Sequence, residues 1–256
     1  MSDYRVVIPA RHASSRLPGK PLLLLAGRPM VQWVYESARR SRAAEVIVAT
    51  DDERIGAAVR AFGGEVMMTA ASHASGTDRI AEVARTRGWS AEDIVVNVQG
   101  DEPLLPHALI DQVAVLLARH PQSDIATLAV PLGALAAFMD PNVVKVVIGA
   151  QQRALYFSRA PIPWCRDGAK AGLASQQSHH GARRHLGLYA YRVGALLRMA
   201  SLSPTPLEEL EKLEQLRALE HGLDVRVADA EVTPGPDVNT PEDVERAAAL
   251  LQAQRR

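Results

Sequence analysis

Cysteine occurs once among the 256 residues, as Cys165, so the chain has no internal disulfide and no cysteine-built zinc site. Net charge is missing as well. Lys and Arg total 29 and so do Asp and Glu, which argues against a nucleic-acid partner, because such a partner normally requires a strongly basic face. Apolar residues make up 47% of the chain, yet no run is long and uncharged enough to span a bilayer. Met1-Ser2-Asp3-Tyr4-Arg5 leads straight into a first strand and leaves no room for a signal peptide. A soluble, cytoplasmic chain with no membrane partner is expected. Neither G-x-x-x-x-G-K-[ST] nor G-x-G-x-x-G occurs, so a Walker loop and a dinucleotide fold both go unsupported. No internal repeat and no interdomain linker is visible.

What is present is an alternation of strands and helices. Arg5-Val6-Val7-Ile8 reads as a buried first strand. Pro29 opens a helix carrying Met30, Trp33, Val34, Ser37 and Ala38 at helical spacing. Glu45 to Thr50 is a second strand, a helix runs from Glu53 to Gly63-Gly64, and Val66-Met67-Met68 is a short third strand. Ser75-Gly76-Thr77-Asp78 has the form of a helix start. Asp93 to Gln99 is almost unbroken apolar, as a central parallel strand should be. A helix from Pro106 and a strand from Ile125 to Val130 complete a doubly wound, mostly parallel sheet. The second half departs from this. Val143 to Ile148 and Ala154 to Phe157 read as a hairpin, His185 to Tyr191 as a strand, and 166–184 as a mobile loop. Thr205-Pro206-Leu207-Glu208 starts one helix that ends at Gly222; Val225 to Val232 is a strand, and Thr240-Pro241-Glu242-Asp243 starts the last helix.

Two constellations carry chemistry. The loop Pro9 to Pro21 holds Arg11, Arg16 and Lys20 with a glycine and two serines, at the end of the first strand, where α/β folds bind ligands. Three cations there call for a polyanion, most simply a nucleoside triphosphate with its metal. Gln99-Gly100-Asp101-Glu102-Pro103 delivers Asp101 to the carboxyl end of the central strand, and one carboxylate beside a triphosphate suits Mg²⁺. A second oxygen ligand is expected from the loop Asp237-Val238-Asn239-Thr240.

The loop R-x-x-S-S-R-L-P-G-K-P resembles that of the nucleotidyltransferases that activate acidic sugars with CTP, and within them the 3-deoxy-manno-octulosonate (Kdo) cytidylyltransferases. Further blocks are similar in order and spacing: Ser75 to Arg79, Val96 to Pro103, Tyr156 to Arg159, Arg184 to Gly187, Leu213 to Arg217 and Thr240 to Asp243. Together they run from residue 5 to about 250. One departure stands out. Where the family usually carries a metal-ligand aspartate this chain has Asn239, a neutral oxygen donor that puts metal affinity in question; Asp237 is a candidate to compensate.

The resemblance implies a Rossmann-like, nucleotide-diphospho-sugar transferase fold over 1–256 as one domain. Residues 1–130 would form the nucleotide half, 131–235 a sugar-binding and dimerisation part, and 236–256 a C-terminal helix. It implies CMP transfer from CTP to the anomeric hydroxyl of Kdo, releasing pyrophosphate and activating Kdo for lipopolysaccharide synthesis. Arg11, Arg16 and Lys20 would hold the triphosphate, with Lys20 or Arg16 nearest the leaving group. Asp101 and Asn239 would hold Mg²⁺, and a second ion on the β- and γ-phosphates is compatible with this. Ala10, Ser75 and Gln99 would line the cytosine pocket with Arg79 close by, and Arg159, His185, Tyr189, Glu214 and Gln215 would face the sugar. A homodimer is implied, and no residue stands out as a general base. The alternatives are another acidic sugar (8-amino-8-deoxy-Kdo or N-acetylneuraminate) or a CTP-binding protein without catalysis.

Overall fold

The structure, a computed structural model, describes residues 3–12, 17–169 and 171–253. In chain order the first half comprises β1 (Tyr4–Ala10), a small hairpin β2 (Leu24–Leu25) and β3 (Arg28–Pro29), α1 (Met30–Arg39), β4 (Glu45–Thr50), α2 (Glu53–Ala61), β5 (Val66–Met68), α3 (Gly76–Arg87), β6 (Ile94–Asn97), α4 (His107–Ala118) and β7 (Ile125–Pro131). The second half comprises α5 (Leu135–Met139), β8 (Lys145–Ile148), β9 (Ala154–Ser158), β10 (Arg183–Arg192), α6 (Val193–Ser201), α7 (Pro206–Glu211), α8 (Gln215–Glu220), β11 (Val225–Asp229) and α9 (Pro241–Ala253).

Strand order across the main sheet is β11-β7-β10-β6-β1-β4-β5. The pairs β6–β1, β1–β4, β4–β5 and β7–β11 are parallel, as expected. The sheet is nevertheless mixed: β10 inserts antiparallel between β6 and β7, and its first residues also pair with the β8–β9 hairpin. Because β10 runs against its neighbours, its N-terminal residues Arg183 to His185 lie at the carboxyl edge of the parallel strands. Alternation along β1 explains the two layers. Val6, Ile8 and Ala10 pack with α1 and α4 on one face, whereas Val7 packs with α3, α6 and α8 on the other. A third cluster joins Leu25 and Met30 to Val238, Ala247 and Leu251, fixing α9 against the opening hairpin.

The expected single helix from Thr205 to Gly222 is two. Lys212 adopts a left-handed conformation (φ 53°) between α7 and α8. Arg217 reaches back to Glu208 through two bonds of 2.7 and 2.5 Å. In a straight helix these residues, nine apart, would lie ~13.5 Å from each other along the axis. The buried ion pair therefore requires the elbow. The strand expected from Val225 to Val232 stops at Asp229, and the segment 166–184 contains two 3₁₀ turns, Arg166–Gly168 and Leu173–Ser175.

Candidate active site

Two glycines bring the opening loop to the central strand. Gly19 takes φ +69° and its N–H donates to the carbonyl of His12 at 3.0 Å, so the loop's ends close on each other and Lys20 is turned inward. Gly100 follows β6, and a Cβ there would meet the carbonyl oxygen of Pro9 at 3.0 Å. Only a bare backbone lets the end of β6 pass this close to β1, and the next residue is Asp101. From the far end of the chain, the N–H of Val238 donates to the Asp101 carbonyl at 3.2 Å and places Asn239 alongside.

The three meet. Lys20 Nζ donates to Asp101 Oδ2 at 2.6 Å and to Asn239 Oδ1 at 3.3 Å. A cation thus sits between the two oxygens that the sequence assigns to Mg²⁺. That donor set fits the ion: one carboxylate and one amide oxygen, with phosphate oxygens and water completing a hard-cation shell. Arg11 is exposed beyond β1, and Arg16 lies outside the described residues. Asn239→Asp is expected to keep or raise turnover at low Mg²⁺, read as the Mg²⁺ concentration giving half-maximal rate; a clear loss would assign the asparagine a role of its own.

Behind Asp101, Glu102, Arg184, His185, Gly187 and Asp237 line a cavity of about 30 Å³. Desolvation pushes the Glu102 carboxyl well above its usual range, and repulsion from Asp237 and Asp101 adds to it. Asp237 is raised by desolvation and then by Asp101, with Arg184 and Lys20 opposing. From the sequence only Asp237 draws attention, as a metal substitute, although Glu102 stands next to Asp101.

The nucleotide-side residues divide. Ala10 is buried at the end of β1, and Gln99 is half-buried just after β6. Ser75 caps α3, its Oγ accepting from Asp78 N at 3.1 Å within a capping box. Arg79 is buried and committed to internal partners, Thr69 Oγ1 and, at 3.2 Å, Asp51 Oδ2.

The sugar-side residues converge more tightly. The α7–α8 elbow lays Glu214 against α3, where Thr77 Oγ1 donates to its Oε2 at 3.0 Å. Burial raises the Glu214 carboxyl, while the hydroxyls of Thr77 and Ser75 hold it down. Its Oε1 is buried without a hydrogen-bond partner, and so are Tyr189 Oη and Asn97 Oδ1, which belong to residues paired across β10 and β6. A buried polar atom left unpaired costs about 1–3 kcal/mol. Tyr189 and Asn97 are cross-strand partners and the Glu214 carboxylate bears on Tyr189, so a hydroxyl-rich ligand would pair all three. Gln215 begins α8 beside them. Asn97 and Thr77 had not been singled out; the hint was a polar residue closing an otherwise apolar strand.

His185 sits where β10 bulges between His185 and Tyr189. Thr127 Oγ1 fills the bulge, lying 2.8 Å from the Leu188 carbonyl, 3.1 Å from that of Leu186 and 3.1 Å from His185 Nε2. One hydroxyl has one proton. It donates to a bulge carbonyl, so Nε2 carries the hydrogen towards Thr127 and Nδ1 is left as an acceptor. Burial, with Arg184 adding, pushes the imidazole down to about 3. His185 is therefore neutral and offers a hydrogen bond, not a countercharge. The unfolded imidazole binds a proton below about 6.5, but the folded one does not, so stability falls as pH drops from 6.5 towards 3. His185→Gln is expected to flatten that part of the slope, measured as urea midpoints at pH 7 and pH 5; an unchanged slope would contradict the buried neutral state.

Arg159 lies past the end of β9, with Nε donating to the Glu211 carbonyl at 2.7 Å and Nη1 to the Pro141 carbonyl at 3.0 Å.

Lys20 with the metal-competent oxygens of Asp101 and Asn239, and the unpaired polar atoms of Asn97, Tyr189 and Glu214, are the kind of arrangement a nucleotidyltransferase needs. The chain belongs to the cytidylyltransferase family, whose model matches residues 5–226. Relatives named 3-deoxy-manno-octulosonate cytidylyltransferase are 54% identical in Pseudomonas syringae pv. tomato, covering 98% of both chains, and 53% identical in Pseudomonas fluorescens, covering 98% of this chain and 99% of that one. A solved CMP:2-keto-3-deoxy-manno-octonic acid synthetase complexed with CTP superimposes with a TM-score of 0.88 at 40% identity, over 99% of this chain and all of the other.

Proposed function

We propose that this chain transfers CMP from CTP to the anomeric 2-hydroxyl of Kdo and releases pyrophosphate. What supports this is the Lys20–Asp101–Asn239 cluster at the carboxyl edge of the sheet, together with the buried, unpaired polar atoms of Asn97, Tyr189 and Glu214. The sugar hydroxyl oxygen bonds to the α-phosphorus, the bond from that phosphorus to the β-bridging oxygen breaks, and the hydroxyl proton passes to water. Arg11, Arg16 and Lys20 neutralise the triphosphate, with Lys20 placed for the leaving pyrophosphate once it turns from Asp101. Asp101 and Asn239 would hold Mg²⁺, which would supply charge neutralisation at the phosphates and acidify the attacking hydroxyl. Most of the rate enhancement is positioning and charge neutralisation. Ala10, Ser75 and Gln99 lie along the cytosine, with Arg79 bracing the neighbouring strand ends. Neutral His185, Tyr189, Glu214 and Gln215 receive the sugar's hydroxyls, and Arg159 its carboxylate.

The test is pyrophosphate release from CTP and Mg²⁺ with Kdo, 8-amino-8-deoxy-Kdo, N-acetylneuraminate or no sugar. Release with Kdo far above the rest is expected. Preference for another acid would correct the substrate, and CTP binding without release would overturn catalysis.

The cytoplasm is the proposed location; among the described residues no helix is long and apolar enough to cross a membrane. The working form is proposed to be a homodimer built on the β8–β9 hairpin. Among the described residues β9 has a strand partner only on its β8 side, and Leu155 on β9 and Leu210 on α7 are 60% and 80% exposed. Light scattering at micromolar protein is expected to give twice the 27.7 kDa chain mass; the single-chain mass would refute the dimer.

A further inference from the structure

Lys145 is wholly buried, and its ammonium hydrogen-bonds to backbone carbonyls, with the Asp140 and Glu211 carboxylates acting on it at longer range. Its Nζ donates to the carbonyls of Asp140 at 2.9 Å, Val143 at 2.6 Å and Arg159 at 2.6 Å. Three N–H groups meet three carbonyls, and the 140–143 turn is thereby tied to the end of β9. Glu211 grips the same point from the other side. Its carboxylate accepts from Ser158 Oγ at 2.6 Å and from Arg159 N at 2.9 Å, while its own carbonyl accepts from Arg159 Nε. The Arg159 backbone is therefore pinned at its N–H by Glu211 and at its C=O by Lys145.

The guanidinium is held in an unusual way. Its two recorded partners are carbonyls, those of Glu211 and Pro141, and among the described residues no carboxylate lies within ion-pair distance. A guanidinium anchored by dipoles keeps its full charge, and its remaining N–H groups can fork onto a planar anion. Lys145 pairs in register with both Ser158 and Arg184, and the His185 ring meets Phe157 at 4.9 Å, so Arg159 stands at the sugar end of the sheet edge.

We infer that Lys145 and Glu211 are positioning residues that hold Arg159 as a rigid receptor for the acceptor sugar's carboxylate. They thereby set the enzyme's demand for an acidic acceptor. This rests on the sugar-side role proposed for Arg159. Neither residue touches substrate, so each acts through the arginine.

Steady-state kinetics on the full chain, with CTP and Kdo varied separately, test this. Arg159→Gln is expected to raise KM for Kdo about tenfold or more, the loss of a charge-assisted pair. Glu211→Ala is expected to do the same, with KM for CTP and kcat within about twofold. Glu211→Gln is expected to restore most of the affinity, since its amide can still accept from Arg159 N and donate to Ser158 Oγ. The Glu211 pair decides because Lys145→Met strands three buried carbonyls and is expected to unfold. If Arg159→Gln leaves KM for Kdo unchanged, the role of Arg159 fails and the inference with it. If it raises KM and Glu211→Ala does not, positioning alone fails. Equal losses in kcat and in KM for CTP, or no rescue by Glu211→Gln, would also overturn positioning.

Discussion

Asp101→Ala abolishes CMP transfer, lowering kcat/KM by roughly a thousandfold or more, and leaves the fold intact. The catalytic half of this expectation follows from what the carboxylate faces. Among the described residues Asp101 is the one carboxylate bonded to Lys20, and without it the proposed metal would keep Asn239 as a neutral donor. Losing one electrostatic contact to a transition state typically costs 10²–10³ in rate, and here the α-phosphate would also lose its positioning ion. The structural half follows from where the residue is anchored. Its backbone carbonyl, not its side chain, receives Val238 N and ties the last loop to β6, so alanine preserves that link. The ion pair to Lys20 is partly exposed, at 11% and 36% for the two side chains, which limits its worth to about 1 kcal/mol or less. Removing the charge also relieves Glu102 and Asp237, both pushed upward by it. Pyrophosphate release and a thermal melt together check the expectation. Near-normal turnover would refute the metal role, and a collapsed melt would refute the structural independence.

Lys20→Met has the second largest effect and moves two quantities in opposite directions. Turnover is expected to fall, with kcat/KM for CTP reduced by about 10²–10³, because the cation proposed to face the departing pyrophosphate is gone. Divalent-ion binding without nucleotide tightens, because the ammonium occupies the space between Asp101 and Asn239 and competes with the ion for both oxygens. Mn²⁺ titration followed by electron paramagnetic resonance reads the second effect independently of activity. This also gives Asn239 a physical context. Aspartate at 239 would add a further negative charge beside Asp101, whose carboxylate already raises Glu102 and Asp237. Unchanged Mn²⁺ affinity in Lys20→Met would contradict the competition.

The parts of the fold that local chemistry decides were legible in the sequence. Ser75 with Asp78 and Thr240 with Asp243 were read as helix starts, and both form their reciprocal caps. The strands Glu45–Thr50 and Val66–Met68 match the sequence reading, and Lys20 bonds both Asp101 and Asn239, which come from distant loops. What escaped depends on contacts remote in sequence. Nothing near His185 says that its strand will run antiparallel between β6 and β7, or that Thr127, 58 residues away, will fill a bulge there. Leu207 to Leu219 reads as one continuous amphipathic helix, and only the Arg217–Glu208 pair and the carbonyls of Met199 and Leu202 force the elbow at Lys212. That elbow delivers Glu214 to Thr77, so the proposed sugar-side role of Glu214 could be read by resemblance but not built from the local pattern.

The central claim is that the sugar's own hydroxyl attacks the α-phosphorus of CTP. The most direct measurement is a single-turnover reaction with Kdo carrying ¹⁸O at its anomeric hydroxyl, with the products resolved by mass spectrometry. The account predicts label in the bridging oxygen of CMP-Kdo and none in pyrophosphate. Label in pyrophosphate, or pyrophosphate formed without a labelled CMP-sugar, would contradict it.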